Sequence, residues 1–226
     1  MQQLFDLPEQ YDEMLNKGIG VTGNDKYFFI KGRLDLLFQK LPKNFKPQRI
    51  LDFGCGTGAT CMELTALFPK AQVIGSDISE ASIKFAKETH KADNLEFIQF
   101  KLLPDCEPFD LVYLNCVLHH IKPNERQETM YQLFSLCKSE ALIWIFENNP
   151  ANPGTQLAMY TNPFDKGVVK VWPKELKNRI KSAGFEILET NFLFYFPQWL
   201  SVFRPIEKFL LKFPLGGQYG VLGKKA

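Results

Sequence analysis

Residues 50 to 59 read Ile50-Leu51-Asp52-Phe53-Gly54-Cys55-Gly56-Thr57-Gly58-Ala59, an apolar run that ends in a carboxylate and a turn with glycine at alternate positions. Glycine permits positive φ and lets a ligand approach the backbone, and a helix that opens directly after such a turn presents its free N–H groups there. Taken alone, Gly54-x-Gly56-x-x-Ala59 also satisfies the dinucleotide pattern. Asp52 argues for a different ligand, because a carboxylate there would crowd a pyrophosphate but suit a cationic ammonium. Three further side chains could move protons. His119 and His120 follow one apolar run, and Glu147 closes another.

These groups need a scaffold that brings strand ends together. Apolar runs of strand length alternate with amphipathic segments between Arg49 and Asn148, the pattern of consecutive βαβ units in a mostly parallel sheet. Strands are expected near Arg49 to Phe53, Gln72 to Asp77, Leu95 to Phe100, Asp110 to Asn115 and Ala141 to Glu147. Helices are expected near Thr57 to Phe68, Ser79 to His90 and Asn124 to Cys137. The fourth and fifth strands are apolar almost throughout, as strands covered on both faces must be. In open sheets of this kind ligands sit at the carboxyl ends of the strands, where Asp52, Asp77, Asn115 and Glu147 fall.

The chain is read as one domain, 1–226, with a helical cap over 1–48, a core over 49–147, and insertions at 148–172 and 197–218. The stretch from Asn148 to about Trp172 is rich in turn residues and reads as irregular. Pro173 starts a helix that Gly184 stops. Two final strands, Phe185 to Phe196 and Tyr219 to Lys225, flank an aromatic insertion in which Trp199, Val202, Phe203, Ile206, Phe209, Leu210 and Phe213 fall at helical spacing, with Pro205 breaking the run. That stripe reads either as core or as a lid or lipid-facing surface beside Arg204, Lys208 and Lys212.

Net charge is +2 over 226 residues, too small to argue for nucleic acid. The distribution is uneven: 11 basic against 4 acidic residues from Lys166 onward, and 16 against 21 before it. A basic face for an anionic substrate or a membrane surface is one reading, a solvated surface the other. No stretch approaches the roughly 18 apolar residues that span a bilayer, and no basic segment followed by an apolar run opens the chain, so a cytoplasmic location is expected. Cys55, Cys61, Cys106, Cys116 and Cys137 show no CxxC pair, and reduced thiols are expected with no metal site.

With Gly58 included, the turn reads DxGxGxG and resembles the first motif of class I S-adenosylmethionine (SAM) dependent methyltransferases. The resemblance continues in order. Val73-Ile74-Gly75-Ser76-Asp77-Ile78-Ser79 is similar to the second-strand motif, whose acidic residue holds both ribose hydroxyls, and a carboxylate can accept two such bonds. Phe109-Asp110-Leu111-Val112-Tyr113-Leu114-Asn115-Cys116-Val117-Leu118-His119-His120-Ile121 looks like the fourth-strand motif, whose loop lies beside the transferable methyl. The final strand, insertion, strand arrangement also resembles the family's last two strands.

The resemblance covers about residues 49–147 and implies a Rossmann-like α/β fold with a seven-stranded, mostly parallel sheet, an antiparallel last strand and helices on both faces. It implies a SAM site, with S-adenosyl-L-homocysteine as product, at Asp52, Phe53, Gly54, Cys55, Gly56, Gly58, Asp77, Ile78, Asn115 and Cys116. The family often carries an acidic adenine ligand after the third strand. Here Phe100-Lys101-Leu102 stands instead, and adenine is expected against backbone groups and the apolar side chains of Phe100 and Leu102, without the Lys101 side chain. The pieces Phe146 to Pro153 and Pro214 to Tyr219 are similar to small bacterial methyltransferases of glycan or lipid pathways.

Methyl transfer is an in-line displacement, so alignment and exclusion of water achieve much, and a hydroxyl acceptor benefits from a base. His119, His120 and Glu147 are the candidates, and the resemblance favours His120; adjacent residues on a helix point in different directions, so at most one of the two histidines is expected to face the cofactor. Arg33 and Tyr27 could touch the cofactor carboxylate or cover the site. The expected function is methylation of a small-molecule, glycan or lipid-linked acceptor. A cofactor-binding module without catalysis, or a supporting subunit, is the alternative. Asp52 disfavours a nicotinamide oxidoreductase, and the lack of an Asn-Pro-Pro-Tyr type motif after the fourth strand disfavours DNA-base methylation.

Overall fold

The computed structural model describes residues 8–226; the part of the expected cap over 1–7 lies outside the described residues. Helices α1 (Pro8–Ile19) and α2 (Lys26–Lys40) lead into strand β1 (Arg49–Phe53). Alternation then follows: α3 (Ala59–Leu67), β2 (Gln72–Asp77), α4 (Glu80–Thr89), β3 (Leu95–Gln99), β4 (Phe109–Asn115), α5 (Arg126–Leu136) and β5 (Cys137–Asn148). Helices α6 (Pro153–Thr161) and α7 (Pro173–Ser182), strand β6 (Phe185–Leu193), the short helix α8 (Glu207–Leu210) and strand β7 (Gln218–Lys225) complete the chain.

The seven strands form one sheet in the order β3-β2-β1-β4-β5-β7-β6, with β7 antiparallel to both neighbours. The order reverses at β1 and β4, so their carboxyl ends open a crevice. Period-2 alternation sorts the central strands onto two cores. Leu51, Val112, Leu114, Ile143 and Ile145 pack on one face with Met130 and Leu133 of α5 and Leu176 and Ile180 of α7. Ile50, Leu111, Tyr113, Leu142, Trp144 and Phe146 pack on the other with Ile30, Leu34 and Leu37 of α2 and Cys61 and Leu64 of α3. The fully apolar strands are thus covered on both sides, as their composition requires.

Four expectations are corrected. Residues 148–172 are not irregular throughout, since α6 and a 3₁₀ turn (Pro163–Asp165) lie within them. Asn152 accepts the Thr155 N–H at 2.8 Å and Pro153 takes the first helical position, so residues that read as a turn act as a helix start. Strand β6 stops at Leu193 because Phe194 adopts φ 62°. The aromatic insertion is a 3₁₀ segment (Gln198–Ile206) kinked at Leu200, not broken at Pro205, followed by α8. Strand β3 also ends one residue early, and Phe100 opens a 3₁₀ segment to Asp105. All five cysteines are free.

Candidate functional site

A cavity of about 1190 Å³ lies over the carboxyl ends of β1, β2 and β4 and runs under α1, α2, α6 and the aromatic insertion. Its floor is the glycine turn. Gly54 has φ 75° and Gly58 has φ 84°, a region other residues enter at a cost. Contact also forbids a side chain at both: an added Cβ would lie 2.5 Å from Val117 at Gly54 and 2.6 Å from the Phe97 ring at Gly58. Gly58 is not on the cavity wall; it seats α3 against β3.

Two carboxylates flank the turn. Asp52 is 2% exposed and takes a hydrogen bond from the Cys61 thiol at 3.1 Å. Burial, and to a lesser extent the Asp77 charge, push its carboxyl up to about 7 against the lowering effect of that thiol. Asp77 Oδ2 accepts the Gly56 N–H and Oδ1 the Ser79 N–H, each at 2.9 Å. These bonds fix the plane of the carboxylate and leave a lone pair on each oxygen. Burial raises the Asp77 carboxyl, and the backbone donors Ser79, Gly56 and Ile78 oppose it.

Beside Asp77, Ile78 is 70% exposed on the cavity wall, where Phe100, packed edge-on against Phe53 at 5.5 Å, also lines the space. Phe53, Cys55, Gly56, Asn115 and Cys116 are wall residues too. Asn115 keeps its Oδ1 buried without a hydrogen-bond partner. Cys116 stands at φ 56°, its N–H bonded to Phe146 O at 2.9 Å. Lys101 and Leu102 stand apart: Lys101 reaches Glu80 at 3.4 Å in solvent, neither lines the cavity, and the 3₁₀ turn that replaces the end of β3 carries them away.

The histidines occupy a 3₁₀ turn (Leu118–His120) after β4. Arg126, fully buried, donates from Nε to Leu118 O at 2.9 Å and to Ile121 O at 3.0 Å, and so holds both ends of this turn. His119 Nδ1 pairs with Glu147 Oε2 at 2.6 Å, and its Nε2 lies 3.3 Å from Asp165 Oδ1. Burial opposes a charge on His119, but the two carboxylates outweigh it and push the imidazole up to about 10. Burial and the neighbouring His119 charge hold His120 at about 3, against the pull of Asp165, 4.0 Å from its Nε2. Both rings border the cavity, and their centroids are 4.1 Å apart.

Glu147, expected as a possible base, is 1% exposed and sits behind His119 rather than on the cavity wall; its other oxygen accepts the Leu118 N–H at 2.8 Å. Arg33 does line the cavity, donating to the Tyr113 hydroxyl at 3.2 Å and to Gln218 Oε1 at 2.9 Å. Tyr27 does not. Sequence reasoning missed Asp165, Asn148 and Gln218. Asn148 had a signal in the Phe146 to Pro153 piece, and Gln218 had one in the Pro214 to Tyr219 piece. That piece is held by the Asn-rich turn, with Asn149 Nδ2 donating to Gly216 O at 2.8 Å and Asn152 Nδ2 to Leu215 O at 2.7 Å. Cys116, His119 and Glu147, and likewise His119, His120 and Asp165, bring ligand-type atoms within 4.8 Å of one another, the described groups that could take a metal ion.

A family model described as a methyltransferase domain matches residues 51–143. The chain is 27% identical over 207 residues to a carboxy-S-adenosyl-L-methionine synthase of Campylobacter fetus, across 80% of this chain and 85% of that one. A shorter match, 38% identical over 88 residues, links 37% of this chain to 31% of a malonyl-[acyl-carrier protein] O-methyltransferase of Legionella pneumophila. In fold, the chain superposes over its full length on a SAM-dependent methyltransferase, possibly a histamine N-methyltransferase, from Thermotoga maritima, covering all of that chain at a TM-score of 0.71 and 16% identity. The domain match spans the glycine turn, Asp77 and the fourth strand on a sheet that these enzymes share, and together these likenesses support a class I SAM-dependent methyltransferase with S-adenosyl-L-methionine as its cofactor.

Proposed function

We propose that the chain methylates a hydroxyl group on a small, largely apolar or lipid-linked acceptor. The observation that carries this is one continuous cavity: at about 1190 Å³ it exceeds the roughly 300–1,000 Å³ that holds a single drug-sized ligand, and beyond the glycine turn its wall is aromatic and aliphatic, with Phe28, Phe29, Phe194, Phe196, Leu157 and Trp199. Polar side chains, among them Asn115, His120, Asn148 and Asp165, line it as well, which suits an apolar body that carries a reactive polar group.

The residues present fit SAM. A buried carboxyl held near 7 is a group that a cationic ammonium would ionise and partner, and the orphaned Asn115 Oδ1 is an acceptor awaiting a donor. In this reading Asp52 meets the ammonium, Arg33 the methionyl carboxylate, Asp77 the two ribose hydroxyls, and Ile78 and Phe100 the faces of adenine. Bound there, SAM supplies a methyl group on a sulfonium that leaves as a neutral thioether.

A hydroxyl acceptor that takes a methyl group would have to lose its own proton. His120 takes it. Its imidazole is neutral at physiological pH and therefore always able to accept, and Asp165 is placed to stabilise the cation that results. Weak basicity suffices, because the hydroxyl becomes strongly acidic as the new bond forms. His119, Glu147 and Asp165 together carry a net negative charge, which favours a neutral hydroxyl over a carboxylate acceptor.

A second reading has one observation in its favour, the match along most of the chain to a carboxy-S-adenosyl-L-methionine synthase, in which the cofactor itself is modified. Incubation with methyl-labelled SAM and extracts fractionated by polarity separates the two. Label moving into an apolar product as a base-stable ether supports hydroxyl methylation. A carboxylated cofactor with no label transfer would replace it.

A further inference from the structure

The segment between β6 and β7 inverts the usual surface arrangement. Trp199 is 75% exposed and Val202 and Phe209 are each 77% exposed, and nothing in the 3₁₀ segment or α8 is buried. The sequence left open whether this stripe is core; it is not. Nor is the segment loose, because Arg204 and Glu207 point inward and hold it. Arg204 donates from Nε to Phe196 O at 3.2 Å and from Nη2 to Asn24 Oδ1 at 2.8 Å, and lies 4.2 Å over the Phe28 ring. Glu207 Oε1 accepts the N–H groups of Tyr195 and Phe196 at 3.1 and 2.9 Å. The Tyr195 hydroxyl donates to Leu210 O at 2.5 Å.

A fixed segment that spends its charges inward and aims a tryptophan, a phenylalanine and aliphatic groups outward is built to meet an apolar environment. Its outward charge is basic. Glu207, its one acid, is turned in, and Lys208 stands exposed beside Phe209. Trp199 and Phe196 also line the cavity, so this face carries the cavity mouth. No helix among the described residues is long and apolar enough to cross a membrane, so contact would be peripheral.

We propose that residues 197–213 form a docking surface for an anionic phospholipid bilayer, with Trp199 and Phe209 entering the headgroup region and Lys208 meeting phosphate. Tryptophan suits this boundary, having an apolar body and one polar N–H, and basic side chains at an anionic leaflet each add to attachment. The surface would set the cavity mouth against the lipid and spare an apolar acceptor a passage through water. Docking itself does not depend on what the acceptor is.

The test is co-sedimentation of the full chain with phosphatidylcholine vesicles, with and without phosphatidylglycerol. Wild type is expected to partition onto the anionic vesicles at least tenfold more than onto the neutral ones, less so at high salt. V202S/F209S, both off the cavity wall, and, separately, Lys208→Glu are each expected to lose this preference while S-adenosylhomocysteine affinity stays unchanged, which shows that the fold and cofactor site are intact. Equal recovery of wild type and both variants with vesicles would overturn the proposal. So would a stable dimer in vesicle-free light scattering that V202S/F209S dissolves, since a second copy would then cover the patch.

Discussion

His119 Nδ1 lies 2.6 Å from Glu147 Oε2, and both side chains are almost wholly buried at the carboxyl ends of neighbouring strands β4 and β5. The pair converts the end of β5 into a support for the loop after β4, since Glu147 also takes the Leu118 N–H. Removing one partner strands a buried charge. Glu147→Gln is therefore expected to destabilise the fold by about 3 kcal/mol, measured by urea denaturation at pH 7. A loss within experimental error would mean that the pair is not ionised.

The same pair sets an alkaline limit. His119 binds its proton far more tightly folded, at about 10, than in the unfolded chain, at 6.5, so its contribution is complete below pH 6.5 and is lost as pH rises through 10. His120, held at about 3, acts in the opposite sense, its contribution being present above 6.5 and lost as pH falls towards 3. Thermal melting followed from pH 6 to 10.5 should show wild type declining more steeply than Glu147→Gln. Parallel curves would contradict the assignment.

Asp52 predicts a pH dependence of cofactor binding. Below about 7 the empty site holds a protonated carboxyl, which must ionise before it can partner an ammonium. Affinity for S-adenosylhomocysteine should fall by up to about tenfold for each pH unit below 7, and Asp52→Asn should bind more weakly with no such slope. A slope that survives in Asp52→Asn would place its origin elsewhere.

Gly58 predicts a stability effect without a direct contact to ligand. An added methyl group would lie 2.6 Å from the Phe97 ring on a backbone at φ 84°. Gly58→Ala is expected to cost about 1–3 kcal/mol of stability, read from the denaturation midpoint. A neutral substitution would show that α3 can shift away from β3.

His120 tests the proposed chemistry. Once an acceptor is in hand, His120→Ala should lower kcat by about 100-fold while the affinity for S-adenosylhomocysteine stays at the wild-type value. Asp165→Asn should lower kcat less, because it only steadies the charge that His120 acquires. An unchanged kcat in His120→Ala would leave alignment alone to account for the rate.

Much of the core could be read from residues 49–147, because there local signals and tertiary demands agree. Apolar runs long enough for central strands end in acidic or amide residues, and the glycine turn requires backbone conformations that only glycine takes without strain. Agreement fails where one residue serves two signals. Asn152 and Pro153 are turn formers and also helix starters, and α6 was missed. Phe100-Lys101-Leu102 prolongs a strand pattern, yet the backbone tightens into a 3₁₀ turn and takes Lys101 and Leu102 off the wall. Asp165 could not be read at all, since its meeting with His119 spans 46 residues and leaves no periodic trace. The aromatic stripe of the insertion has the spacing of a core helix, and only its exposure in the folded chain shows which way it faces.

The central claim is a SAM site built on the glycine turn and Asp77, and calorimetric titration of wild type and Asp77→Ala with S-adenosylhomocysteine tests it most directly. Micromolar binding, roughly −8 kcal/mol, weakened at least tenfold by the substitution is the expected result. A well-folded wild type that binds nothing, or an Asp77→Ala that binds as tightly as wild type, would contradict it.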